Sequence, residues 1–123
     1  MQYLYLIKCN SLYKIGITDN LPKRIKKLQT GNPYQLTYEF TFGFSKREHA
    51  FTTEQRFHRY FHETKRVGEW YELTDENLSD FKRFLVELGN GIVPTEIALK
   101  MKAAFDNDGL IRQRGNMYTK EAK

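Results

Sequence analysis

The sequence predicts an α+β domain over about residues 1–90, followed by a C-terminal helix and a loose polar tail over 91–123. Two short apolar, tyrosine-rich runs open the chain, separated by a turn signal. Residues 36–44 alternate between apolar and other side chains. Three later stretches carry apolar residues at helical spacing. A chain of 123 residues fits one domain with one core.

Taken in order, 2–8 and 12–17 read as strands of a hairpin, because tyrosine and β-branched residues favour extended chain and Asn10-Ser11 makes a tight turn. A two-residue loop pairs Leu6 with Ile15 and Leu4 with Ile17. One face then holds Leu4, Leu6, Tyr13, Ile15 and Ile17, and the other Tyr3, Tyr5, Ile7, Lys14 and Gly16. A one-residue slip would send Lys14 into the core, so the pattern selects its own register. Asn20 caps a helix with Pro22 in its first turn, and Gly31 ends it. Residues 36–44 form a strand with one buried face. Ser45 and Glu48 form a capping box for a second helix running to about Phe61. A short strand at 69–73 precedes a third helix over 75–88, whose buried stripe is Leu78, Phe81, Leu85 and Leu88. Past the Gly89-Asn90-Gly91 break, Thr95 caps a last helix to about Phe105, with Ile97, Met101 and Phe105 on one side. A turn follows at 106–109.

Composition excludes several classes. With 40% hydrophobic and 28% charged residues the chain is not wholesale disordered. No apolar run approaches the roughly 20 residues a membrane span requires, and the opening run lacks a secretory signal's basic start. Cys9 is the single cysteine, which leaves no intrachain disulfide and no cysteine metal cluster. The balance of 20 Lys+Arg against 15 Asp+Glu is mildly basic and compatible with polyanionic partners. Its distribution says more: Lys23, Arg24, Lys26 and Lys27 cluster on the first helix, and Arg56, Arg59, Lys65 and Arg66 form a looser group.

The second helix carries an acid where one is not expected. On a wheel of 100° per residue, Glu54 lies within about 60° of Ala50, Phe51, Phe57, His58 and Phe61. A carboxylate withdrawn from water costs several kcal/mol unless a cation or donors answer it. It is one half of a structural ion pair, a residue the wheel misplaces by a turn, or the floor of a site that holds a divalent metal, since Mg²⁺ is commonly held by one carboxylate with phosphate and water. His58, one turn later, is a satisfied core histidine, an orienter of Glu54 or a phosphate contact. On the first helix Arg24 lies at the edge of the Leu21/Ile25/Leu28 stripe. There its stem packs while its fork reaches a phosphate, and Lys23 and Lys27 attract a polyanion without reading sequence. Together Tyr5, Lys14, Arg24 and Glu54 are the parts for phosphodiester hydrolysis: a proton acceptor for water, a stabiliser of phosphate charge and a metal ligand.

The order of these residues is recognisable. Tyr3-Leu4-Tyr5, Tyr13-Lys14-Ile15-Gly16, Arg24 and Glu54 resemble the GIY-YIG nuclease superfamily. The branch it looks most like is the phage- and fungus-associated one whose second motif reads YKIG. Leu28-Gln29-Thr30-Gly31-Asn32-Pro33, Glu54…His58…Phe61 and Gly68-Glu69-Trp70-Tyr71 are similar to that branch as well, so the resemblance covers about residues 2–73. It implies a three-stranded antiparallel sheet flanked by helices. It further implies a DNA endonuclease that uses one divalent ion, Mg²⁺ or Mn²⁺, bound by Glu54. Tyr5 then matches the general base and Arg24, eight residues after Gly16, the helical arginine. Some members carry lysine in place of the second-motif tyrosine, so either Lys14 or Tyr13 fills that role; strand parity favours Lys14. Gly-Ile-Tyr has become Tyr-Leu-Tyr, so the first-motif glycine is missing.

DNA is the expected partner, with Lys23, Lys27 and Arg56 on its backbone. A nuclease this small implies a targeting partner protein or a homodimer, and the branch's phage association implies a bacterial or infected-cell cytoplasm. Two other classes compete. One is a non-catalytic nucleic-acid-binding module built on Lys23, Arg24, Lys27, Tyr34 and Trp70. The other is a protein-interaction factor using 95–105.

Overall fold

The computed structural model describes the backbone of residues 1–106 and the side chains of 1–102. The expected Phe105 contact, the turn at 106–109 and the tail lie outside those residues. A five-stranded antiparallel sheet forms the centre, in the order β3-β1-β2-β5-β4. Its strands are β1 (Gln2–Cys9), β2 (Leu12–Thr18), β3 (Thr37–Phe44), β4 (Lys65–Val67) and β5 (Trp70–Tyr71). The helices are α1 (Leu21–Gln29), α2 (Arg47–Tyr60), α3 (Asp75–Gly89) and α4 (Thr95–Asp106). Among the described residues no helix is long and apolar enough to cross a membrane.

The hairpin adopts the register its hydrophobic pattern selects. Leu4 faces Ile17, Tyr5 faces Gly16, Leu6 faces Ile15 and Ile7 faces Lys14, without a bulge. Asn10 supplies the left-handed residue of the turn, with φ of 57°. Two apolar layers follow from this alternation. On one face Leu4, Leu6, Tyr13 and Ile15 pack with Ala50, Phe57 and Phe61 of α2 and with Phe81, Phe84 and Leu85 of α3. On the other, Tyr5, Ile7 and Leu36 pack beneath Leu21, Ile25 and Leu28 of α1. Helix α4 joins the first layer through buried Ile97 and Met101. Lys100 fastens it to the buried Asp80 of α3 at 3.0 Å.

Four expectations change. The sheet has five strands rather than three, because β5 adds to β2 and β4 to β5. Strand β3 is bulged: Leu6 faces Phe40 but Ile7 faces Tyr38, so Glu39 is the extra residue. The alternation over 36–44 therefore does not face one way: Phe40, Phe42 and Phe44 join the α2/α3 layer, and Leu36 and Tyr38 join the α1 layer. The Ser45/Glu48 box does not form, since α2 starts after Lys46 with no side-chain cap. In α3, Leu88 is exposed and Phe84 fills the stripe instead.

Helix α1 begins as the sequence indicates, with Asn20 Oδ1 accepting from the Lys23 backbone N–H at 3.0 Å. Its last residue organises the loop beyond. Gln29 Nε2 donates to the carbonyls of Asn32 at 3.2 Å and Tyr34 at 2.8 Å, and Oε1 accepts from Leu36 N–H at 2.9 Å. One amide thus substitutes for missing backbone pairing over 32–36, which explains why glutamine rather than glutamate stands there: a carboxylate cannot donate. Gln29→Ala is expected to lower stability by about 1–3 kcal/mol and to speed amide exchange selectively at 32–36. Hydrogen-exchange mass spectrometry with a thermal melt checks both.

Candidate active site

β5 contributes only two residues to the ladder beside β2, Tyr71 opposite Tyr13 and Trp70 opposite Lys14. Beyond Lys14 the outer edge of β2 therefore has no strand neighbour among the described residues, and there the two faces of the sheet open into one another. A cleft of about 380 Å³ occupies this place. Its lining includes Tyr5, Lys14, Arg24, Glu54 and His58, with Glu69 and Tyr71 from β5 and the turn before it. Side chains from α1, on one face, and from α2, on the other, meet around the end of a short strand.

Tyr5 enters through a gap in β2. It is 1% exposed, and its ring lies across Gly16, where an added Cβ would stand 2.3 Å from Oη and 2.5 Å from Cζ. The glycine of the second motif is there for this crossing. Arg24 Nε donates to Tyr5 Oη at 3.0 Å. Tyr38, brought to this layer by the bulge, meets the Tyr5 ring edge-on at 5.9 Å and donates its hydroxyl to Leu21 O at 2.6 Å, which fixes the start of α1. Burial above all raises the Tyr38 pKa, so it remains a donor.

Lys14 projects on the same side as Tyr5. Its Nζ donates to Glu69 Oε1 at 2.6 Å and lies 5.7 Å from the Trp70 ring centre. The hydrogen bond from Lys14 holds the Glu69 carboxyl below its ordinary range. Because that pKa is lowered on folding, the pair's contribution is present above the ordinary carboxyl range and is lost as pH falls through the depressed value. It is small, since Glu69 is 72% exposed.

Glu54 comes from α2 and is 15% exposed. Its contact among the described residues is His58 Nε2, 3.4 Å from Oε2. His58 Nδ1 meets Tyr71 Oη at 2.5 Å. Burial first, then the charges of Glu69 and Glu54, push the Tyr71 phenol up to about 12. Around Glu54 the wheel holds for Ala50, Phe57 and Phe61, all buried, while Phe51 is exposed. No group of three or more His, Cys, Asp or Glu suited to a metal occurs among the described residues. An ion held by the Glu54 carboxylate would have to take its other ligands from water and phosphate, the mode Mg²⁺ commonly uses.

This geometry, a buried phenol paired to a helical arginine opposite an inward glutamate, agrees with a family match over residues 2–86 to the T5orf172 domain. The chain belongs to the T5orf172 domain family. That domain is a GIY-YIG-related, nuclease-like one. No curated protein and no solved structure matches the chain.

Within the T5orf172 domain the remaining candidates fall elsewhere. Tyr13 is 7% exposed and points into the α2/α3 layer, away from the cleft. It cannot share a face with Tyr5 while the hairpin is free of bulges. Lys23 and Lys27 are exposed on α1 and do not line the cleft. Arg56, on the far side of α2, borders a separate groove with Phe42, Phe44 and Val93. The sequence does not mark Gln55, His62, Lys65, Glu69 or Tyr71 of the cleft lining as site residues, nor Tyr38 packed behind Tyr5. Glu69, Tyr71 and Tyr38 each gain their meaning from a long-range contact that has no local signature. The first-motif departure also has a structural counterpart: Tyr3 stands opposite Gly43 of β3, so the missing side chain is on the neighbouring strand.

Proposed function

We propose that this T5orf172 domain is a divalent-metal-dependent DNA endonuclease that hydrolyses phosphodiester bonds. The observation that carries the proposal is the Tyr5–Arg24 hydrogen bond inside a cleft whose other wall bears Glu54. In this reading Tyr5 works as the phenolate, having given its own proton to solvent, and its Oη accepts the proton of the attacking water. Arg24 attracts negative charge to that oxygen through Nε and offers its two terminal nitrogens to the phosphate, where the guanidinium fork suits a trigonal bipyramidal centre gaining charge. Glu54 holds the divalent ion, Mg²⁺ or Mn²⁺, which when bound supplies Lewis-acid neutralisation of the phosphate and leaving oxygen. Lys14 meets a neighbouring phosphate, and Lys23 and Lys27 follow the backbone along α1 without reading bases.

The test is nicking of supercoiled plasmid with Mg²⁺ or Mn²⁺, alongside Glu54→Gln. DNA retention without product and without metal dependence would instead favour a binding module.

Glu69 bears on the same reading. Its carboxylate occupies the Lys14 ammonium that a phosphate would seek. Glu69→Gln is therefore expected to tighten DNA binding by about fivefold, corresponding to roughly 1 kcal/mol for an exposed pair. Fluorescence anisotropy with a labelled duplex in Ca²⁺ measures it, and unchanged affinity would show that the pair does not compete with DNA.

A further inference from the structure

Tyr71 is 3% exposed and His58 is partly buried, and their polar atoms meet at the rear of the cleft. The direction of the hydrogen bonds follows from chemistry. A carboxylate only accepts, so the His58 nitrogen facing Glu54, Nε2, must carry the hydrogen. In the neutral ring Nδ1 is then an acceptor, and the Tyr71 hydroxyl must be its donor. The raised Tyr71 pKa agrees with a phenol that keeps its proton.

We propose that Tyr71 and His58 are positioning residues that aim the Glu54 carboxylate at its metal, through a relay from Tyr71 Oη to His58 Nδ1 and from His58 Nε2 to Glu54 Oε2. The inference rests on the reading of Glu54 as the metal ligand. Its physical content is the rotamer of Glu54. A single carboxylate on a helix is free to swing about its own side-chain bonds, and one that must share an ion with phosphate and water needs its direction set by groups behind it. The 3.4 Å contact is long for a resting hydrogen bond, and such contacts commonly shorten when a site is loaded. Tyr71 is itself fixed by its ladder position opposite Tyr13, as Trp70 beside it is fixed opposite Lys14. The same two-residue strand thus sets the metal side and the phosphate side of the cleft.

The experiment measures the Mn²⁺ dissociation constant by the electron paramagnetic resonance of free Mn²⁺, with a phosphorothioate duplex bound, and the Mn²⁺ and DNA concentrations for half-maximal nicking. Tyr71→Phe keeps the ring and removes the donor. It is expected to weaken Mn²⁺ about 10- to 100-fold with the DNA concentration for half-maximal nicking unchanged. At His58, glutamine places its amide nitrogen where Nε2 stands, and asparagine places it where Nδ1 stands. His58→Gln keeps the donor to Glu54 but not the acceptor for Tyr71, so it should lose about as much Mn²⁺ affinity as Tyr71→Phe, and His58→Asn, which removes the donor to Glu54 itself, should lose more, an order that simple packing does not produce. Should Tyr71→Phe fail to fold, the His58 pair decides. Unchanged Mn²⁺ affinity in Tyr71→Phe or His58→Asn, or equal losses in the two His58 variants, would overturn the relay while Glu54→Gln still abolishes binding. If Glu54→Gln also leaves Mn²⁺ affinity and nicking intact, the underlying reading of the site has failed.

Discussion

Glu54→Gln is expected to lower metal-dependent nicking about a thousandfold while leaving the melting temperature unchanged or slightly raised. The loss follows from removing the only charged oxygen ligand this reading assigns, because metal stabilisation of phosphate charge contributes several kcal/mol and each 1.4 kcal/mol is about tenfold in rate. The stability argument runs the other way. Glu54 is largely shielded from water, and its contact among the described residues is a histidine rather than a lysine or arginine. Neutralising it removes a desolvation penalty, and the amide oxygen still accepts from His58. A purely structural glutamate would show the opposite pattern, with stability falling and any activity following it. Plasmid nicking over a Mn²⁺ series, paired with calorimetry, distinguishes the two.

Gly16→Ala is expected to damage both stability and the site. Its Cβ would stand 2.3 Å from Tyr5 Oη and 2.5 Å from Cζ, so the ring must leave its place. It has little room, because Tyr5 is buried, Tyr38 abuts it edge-on and Arg24 holds its hydroxyl. Overpacking of this kind costs about 1–3 kcal/mol, offset by a few tenths to 1 kcal/mol from the less flexible unfolded chain. A fall of up to about 10 °C in melting temperature follows for a domain this size. A displacement of about 1 Å at a reacting group also reduces turnover by about a hundredfold. Tyr5→Ala removes the obstructed ring, so the double variant should lose much less stability than the two single changes summed. Additive losses would mean that Gly16 matters for some other reason.

The parts of the fold that could be read from sequence are those fixed by local chemistry. The hairpin register came from period-two alternation that tolerates only one pairing, and the α1 start from Asn20 and Pro22. What could not be read depends on partners far along the chain. Strand β4 has three exposed residues and so no buried face to create a pattern. The bulge at Glu39 leaves the alternation over 36–44 intact in sequence while turning its two halves to opposite sides of the sheet. Ser45 and Glu48 have the spacing of a capping box, yet α2 starts without a side-chain cap, beside an exposed edge of the domain.

The site divides the same way. Tyr5, Lys14 and Arg24 follow from strand parity and helix position, and Glu54 from being an acid on an apolar face. The cleft does gather these four. Tyr13 drew notice through its place beside Lys14, but adjacent strand residues point to opposite faces. Lys23, Lys27 and Arg56 were grouped by charge, which says nothing about the side of a helix on which a cleft opens. Glu69 and Tyr71 belong to a segment that resembles the family, but their place at the cleft depends on the pairing of β5 with β2.

The irregular residue in β3 has a consequence for how this domain can vary. A single strand lines two compartments, one that keeps the helices docked and one that surrounds the Tyr5 phenol, with Glu39 as the joint between them. Substitutions before that joint change the packing around Tyr5 and those after it change the packing under α2 and α3.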